Sequence, residues 1–143
     1  MVYLVAQHYA ELAHANQVGT TRSPDEPYIE HPRRVAALIA KQTYINEEFK
    51  RDCLTVAYLH DVLEDTDMSL EYLKENHLSQ EQEAALIAIT RIEGQSYLQH
   101  ILDCKANPIA RVVKQADLAD KIGDLKPGSL KDKYELAQFI LTY

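Results

Sequence analysis

Glycine and proline are scarce, four and five among 143 residues, while apolar residues recur at spacings of three and four nearly throughout. Strands have little room in such a chain, and an all-α protein of about seven or eight helices is expected. Cysteine is rarer still. Cys53 and Cys104 are too few and too unpatterned for a disulfide framework, and both sit in apolar helical sequence, so they read as buried free thiols of a reducing compartment. Neither has a partner at ligand spacing, which excludes a closed structural zinc site. No apolar run approaches about 18 residues and the first residues lack the layout of a signal peptide, so a cytoplasmic protein with no membrane partner is expected. Positive charge is in deficit. A formal net charge of −7 argues against a general nucleic-acid or anionic-membrane surface, so any anionic substrate must be held by local cations. What remains is ordinary: 46% hydrophobic and 26% charged residues over a length that suits one domain, residues 1–143, without repeats or linkers.

The helical reading has boundaries. Met1 to about Asn16 reads as one amphipathic helix, followed by a long loop, Gln17 to Pro27, expected to be flexible and to contact substrate. Pro32 suits a first helical position, which makes His31 the cap of a helix running to about Gln42. Glu47 to about Leu63 is apolar almost all round, as a central helix would be. Ser79-Gln-Glu-Gln82 and Ser129-Leu-Lys-Asp132 both have the form of capping boxes, placing helix starts near residues 80 and 130. Between them, helices are expected at about 69–76, 80–91, 94–105 and 108–124.

Against this background one cluster stands out. Cys53 to Leu59 reads as buried core, yet His60-Asp61 follows at once and Glu64-Asp65 one turn later. Ionisable groups at that density are costly to bury unless their charge is compensated. A divalent cation is the simplest compensation. His31 and Asp117 are the residues elsewhere suited to complete its shell with His60 and Asp61. Adjacent helical side chains diverge by about 100°, but both can reach an ion lying over the groove between their faces. Two neutral imidazoles and two carboxylates balance a dication and leave positions open for water or a substrate oxygen, which is a catalytic layout. Without a cation, Asp61, Glu64, Asp65 and Asp117 would repel one another between low-dielectric walls. His8, His14, His77 and His100 lack such company and read as structural or exposed.

The segments Pro27-Tyr28-Ile29-Glu30-His31-Pro32, Leu59-His60-Asp61-Val62-Leu63-Glu64-Asp65-Thr66 and Val113-Lys114-Gln115-Ala116-Asp117-Leu118, in that order and spacing, resemble the HD-domain hydrolases. More narrowly they resemble the branch holding the (p)ppGpp hydrolase domain of the RelA/SpoT proteins and the small alarmone hydrolases. The resemblance implies a helical HD fold with one divalent ion held by His31, His60, Asp61 and Asp117. Mn²⁺ is the expected ion, with Fe²⁺, Co²⁺, Ni²⁺ and Zn²⁺ as alternatives. It implies Glu64 as general base toward the attacking water and Asp65 as a group orienting water or leaving group. The reaction implied is removal of a 3′-pyrophosphate from a guanosine nucleotide, a small-molecule partner. A nucleotidase or (d)NTP phosphohydrolase of the same fold, and a catalytically silent nucleotide-binding module, are the alternatives. The two-metal phosphodiesterase type is disfavoured because Val62-Leu63 stand where that type has Gly-Lys. Arg22, Arg91, Lys114 and Lys121 are candidate phosphate contacts, with Tyr28 a candidate stacking residue and one of Arg33 and Arg34 facing the site. Two features depart from the alarmone pattern: Lys121 stands where the branch carries Asn, and the Val18–Glu26 loop holds a single Arg.

Overall fold

Polar side chains start most of the helices. In the computed structural model, which describes residues 1–143, the amides of Phe49, Tyr72, Gln99 and Ala110 donate to Asn46, Ser69, Ser96 and Asn107 at 2.8–3.1 Å. Ser79 and Gln82 form the expected reciprocal capping box. Each such cap contributes about 1 kcal/mol. The chain folds into nine helices: α1 Tyr3–Ala13, α2 Glu30–Ala40, α3 Glu47–Leu59, α4 Val62–Asp65, α5 Leu70–Glu75, α6 Gln80–Ile89, α7 Tyr97–Ala106, α8 Pro108–Asp124 and α9 Ser129–Thr142. The all-α expectation holds. The lone β feature is an isolated bridge between Val18 and Pro27, and no helix is long and apolar enough to cross a membrane.

α3 is the centre, with α1, α2, α6 and α8 packed against it, and α8 in turn carries α2, α6, α7 and α9. Cys53, Val56, Ala57 and Leu59 of α3 are fully buried, as are Val113 and Leu118 of α8. Burying a side chain of the size of Leu59 stabilises the fold by about 1.5–3 kcal/mol. Both cysteines are free and buried, as expected.

Four boundaries differ from the sequence reading. The run expected from Glu47 to Leu63 breaks into α3 and α4 at His60-Asp61. α2 begins at Glu30, so His31 lies inside the first turn rather than capping it. Pro32 then stands at the third helical position, where its missing N–H is one that no helix satisfies internally. α7 starts at Tyr97 instead of residue 94, because Gly94 turns with a positive φ of 82° before the Ser96 cap. At α9 the box does not form: Gly128 is the cap residue and the Asp132 amide bonds the Gly128 carbonyl, which puts Ser129 inside the helix. The loop from 17 to 27 is also tied down rather than free. The Gly19 amide bonds Glu26 O at 2.8 Å, Thr20 bonds Ser23 O at 2.9 Å, and Tyr28 bonds Gln17 O at 2.9 Å. Gly19 supplies the positive φ of 104° that this closure needs.

Candidate active site

The helix break builds the site. His60 Nδ1 donates to the Ala57 carbonyl at 2.6 Å, taking the acceptor that a continuing helix would offer to Asp61. The chain turns there, Asp61 adopting φ −104°, ψ −3°, and the two side chains swing toward one point. His31 comes to the same point from α2 and Asp117 from α8. Candidate ligand atoms of His31, His60 and Asp61 all lie within 4.8 Å of one another. Asp117 Oδ1 lies 2.7 Å from His31 Nε2 and 3.4 Å from His60 Nε2.

His31, His60 and Asp61 form a set that could hold a cation, with Asp117 beside it. With Nδ1 donating to Ala57, Nε2 is the His60 nitrogen left to face a cation. That nitrogen sits 3.0 Å from Asp61 Oδ2, yet no hydrogen bond is aligned and the buried atom has no partner. Burial opposes charge on both imidazoles most strongly, but Asp61 and Asp117 around His60, and Asp117 and Asp120 around His31, outweigh it and raise both above the ordinary histidine value. A field that holds a proton between carboxylates attracts a dication to the same place. Burial likewise opposes ionisation of Asp61 and Asp117, yet His60 beside the first, and Lys121 and Lys114 beside the second, hold both well below the usual carboxylate range.

A second layer orients the first. Asp120 Oδ2 lies 2.8 Å from His31 Nδ1, and Asp120 Oδ1 accepts from Arg34 Nε at 2.8 Å. Arg34 Nη1 in turn grips both oxygens of Glu26 at 2.8 and 2.9 Å. Of the two arginines after His31, Arg34 is therefore the one turned inward, whereas Arg33 pairs with Glu11 and Glu30 on the outside. Tyr28 is not a free stacking surface: its hydroxyl donates to Asp61 Oδ2 and its ring packs 4.8 Å from that of His14.

Beyond the cluster lies a chamber of about 150 Å³, lined by His60, Asp61 and Glu64 together with Arg91, Lys114, Lys121 and Lys133. Four cations face two carboxylates, in a chain whose overall charge is −7. Lys114 Nζ lies 3.0 Å from Asp117 Oδ2 and Lys121 Nζ 3.4 Å from Asp117 Oδ1. Glu64 Oε1 accepts from the Arg91 backbone amide, and burial, with Asp61 adding to it, raises Glu64 above the usual carboxylate value. Glu64 and Arg91 also border an open groove of about 570 Å³ that includes Asp65 and the 92–95 turn. Asp65 borders this groove and not the chamber. Arg22 joins neither. It pairs with Asp124 at 3.5 Å over a separate hollow between α2 and α8. Sequence reasoning passed over Asp120, Tyr97, Lys133 and Tyr134, and set His100 aside as structural or exposed. His14 and His100 are buried beside the site rather than apart from it.

The HD-domain family model matches residues 28–123, and the chain belongs to that family. Among curated proteins it is similar to two named guanosine-3′,5′-bis(diphosphate) 3′-pyrophosphohydrolase. The one from Aquifex aeolicus is 31% identical over 129 residues, covering 84% of this chain and 17% of that protein. The one from Haemophilus influenzae is 47% identical over 57 residues, 40% of this chain and 8% of that protein. The chain thus spans less than a fifth of either relative. The fold is shared with a solved structure described as a metazoan ortholog of SpoT that hydrolyzes ppGpp. That match has a TM-score of 0.74 at 22% identity, over 97% of this chain and 82% of that one.

Proposed function

We propose that this chain is a divalent-metal-dependent phosphohydrolase that removes the 3′-pyrophosphate of a guanosine 3′,5′-bis(diphosphate). The observation that carries this reading is the chamber itself, where the imidazole–carboxylate cluster, a held glutamate and four cations converge. His31, His60, Asp61 and Asp117 would hold one dication, Mn²⁺ in the first instance. When bound it supplies the Lewis acidity that polarises water and phosphoryl oxygens. Glu64 accepts the proton of the attacking water, its Oε1 fixed by the Arg91 amide and the other oxygen left for the transfer. The bond from the ribose 3′-oxygen to phosphorus breaks as the water oxygen bonds to phosphorus. The freed ribose oxygen takes up a proton, and Asp65, in the open groove, orients the leaving side. Lys114, Lys121, Lys133 and Arg91 balance the charge of the diphosphate. No nucleophilic side chain is required. The similarity to named 3′-pyrophosphohydrolases supports the choice of substrate.

One observation favours a broader substrate range. Lys121 lies against Asp117 and 5.7 Å over the Tyr134 ring. An ammonium has no acceptor and cannot read ribose hydroxyls as an Asn amide does, so charge is favoured over sugar and other phosphorylated nucleotides become substrates. Product analysis decides between these readings. With Mn²⁺ added, guanosine 3′,5′-bis(diphosphate) is expected to yield GDP and pyrophosphate faster than nucleoside mono- or triphosphates yield phosphate. Preferential release from (d)NTPs would establish the second reading in place of the first, and no release from any nucleotide would leave a binding module.

A further inference from the structure

The chamber contains polar atoms that none of these steps employs. Eight buried side-chain nitrogens and oxygens in the chain lack a hydrogen-bond partner, and three belong to residues of this one chamber. His60 Nε2 is accounted for by the cation; Tyr97 Oη and His100 Nδ1 are not. Tyr97 and His100 are three residues apart on α7, hence on one face. His100 is 3% exposed. Its Nε2 lies 3.9 Å from Cys104 Sγ, itself 3.6 Å from the Ala88 carbonyl, so a buried thiol steadies one edge of the ring and leaves Nδ1 unpaired. Burial, with Lys114 and Arg91 nearby, pushes His100 down to about 4 and makes it neutral at pH 7. Burial also raises Tyr97 and keeps it a phenol. Above the Tyr97 ring, 4.0 Å away, stands Lys133 Nζ. Lys133 lies on α9, beyond the 28–123 segment that the family model matches.

Size limits what enters. At about 150 Å³ the chamber falls short of the roughly 300 Å³ at which pockets begin to hold whole small molecules. A phosphoryl group fits and a nucleoside does not, so the nucleoside is left to the open groove that shares Glu64 and Arg91. We propose that the chamber seats the terminal phosphoryl group of the substrate's diphosphate, with Tyr97 Oη and His100 Nδ1 as its two neutral hydrogen-bond donors and Lys133 completing the cationic wall. The His100 tautomer with its proton on Nδ1 meets this need, with the Cys104 S–H turned from the Ala88 carbonyl to donate to the Nε2 lone pair. The inference deepens the phosphohydrolase reading, but its test requires no turnover.

Inorganic pyrophosphate is titrated, in excess Mg²⁺, into protein carrying ¹⁵N-labelled histidine, and the imidazole nitrogens are followed by long-range ¹H–¹⁵N correlation. His100 Nδ1 is expected to settle at the position of a protonated, donating nitrogen as the anion saturates. By calorimetry His100→Phe, Tyr97→Phe and Lys133→Met should each bind pyrophosphate at least about tenfold more weakly, the lower end of the range for a lost hydrogen bond to a charged group. His100→Asn, which keeps a donor near the Nδ1 position, should recover most of the loss. His100 nitrogens unmoved at saturation, no saturable binding, or wild-type affinity in folded His100→Phe would each overturn the assignment. The wild-type spectrum decides where a variant fails to fold. Failure to hydrolyse any nucleotide leaves the chamber assignment intact, and failure of pyrophosphate to engage His100 leaves the hydrolase reading intact.

Discussion

Asp120 offers the sharpest test of how the candidate metal centre is held. It is 8% exposed, and its two oxygens are divided between His31 Nδ1 and Arg34 Nε, each at 2.8 Å. Burial opposes its ionisation, but His31 and Arg34 hold it below the usual carboxylate range, so it is an anion at neutral pH. By accepting from Nδ1 it fixes the His31 ring with Nε2 toward Asp61 and Asp117, 3.8 and 2.7 Å away, and leaves Nε2 as the nitrogen that a cation would take. Partners of this kind are worth about 10- to 100-fold in metal affinity, or about 1.4–2.8 kcal/mol. Asp120→Asn keeps one acceptor and loses the charge, which places it near the lower figure. Asp120→Ala loses both and should reach the upper one. Competition for Co²⁺ or Mn²⁺ against a chromophoric chelator measures the change, with circular dichroism to verify the fold. Arg34 retains both Glu26 oxygens in either variant, so collapse of α2 is not expected. Wild-type affinity in folded Asp120→Ala would refute the relay and leave Asp120 as an ion-pair partner of Arg34 only.

Three further outcomes are expected. Glu64→Gln should keep metal and nucleotide while its single-turnover rate falls by roughly two to four orders of magnitude; an unchanged rate moves the base elsewhere, and loss of metal makes Glu64 a ligand. Tyr28→Phe removes the hydroxyl that Asp61 Oδ2 accepts, and a bond to a charged group of this kind is worth about 1.5–3 kcal/mol. Weaker metal binding together with a lower Tm should follow, and neither changing would show the contact to be idle. Lys121→Asn should raise the preference for guanosine 3′,5′-bis(diphosphate) over simple nucleoside phosphates while Lys121→Ala weakens all of them alike, and an unaltered ranking with unaltered KM in both excludes Lys121 from the site.

The helices were legible where their signals are local. Ser79 and Gln82 sit at the spacing that a capping box requires and form one, and Asn107-Pro108 opens α8 as its residues suggest. The break after Leu59 was not legible, because a side chain causes it: His60 competes with the Asp61 amide for one carbonyl, and nothing in the apolar periodicity registers that. The bond of the Tyr28 hydroxyl was not legible for a related reason. An aromatic before a helix looks like packing or stacking until its hydroxyl is seen to meet a carboxylate 33 residues away. Lys133 and His100 reach the chamber only through the packing of α7, α8 and α9, a register that spacing along one helix does not fix.

Asp120 and Arg34 are different, since their signal was present. His31 and Arg34 are three apart on α2, and Asp117 and Asp120 are three apart on α8. Once His31 meets Asp117, helices running in the same sense bring Arg34 to Asp120, and the contacts 31 to 117, 31 to 120 and 34 to 120 follow that ladder. At about 100° per residue, Asp120 projects about 60° to one side of Asp117, while Lys121 and Lys114 project about 40° and 60° to the other. One side of α8 therefore carries the anion that steadies His31, and the other carries the cations that wall the chamber. Asp117 lies between them at 1% exposure, bonded to His31 through Oδ1 and to Lys114 through Oδ2. Its two oxygens thus link the cation site to the anion chamber, and charge gained at either end is felt at the other through this one carboxylate.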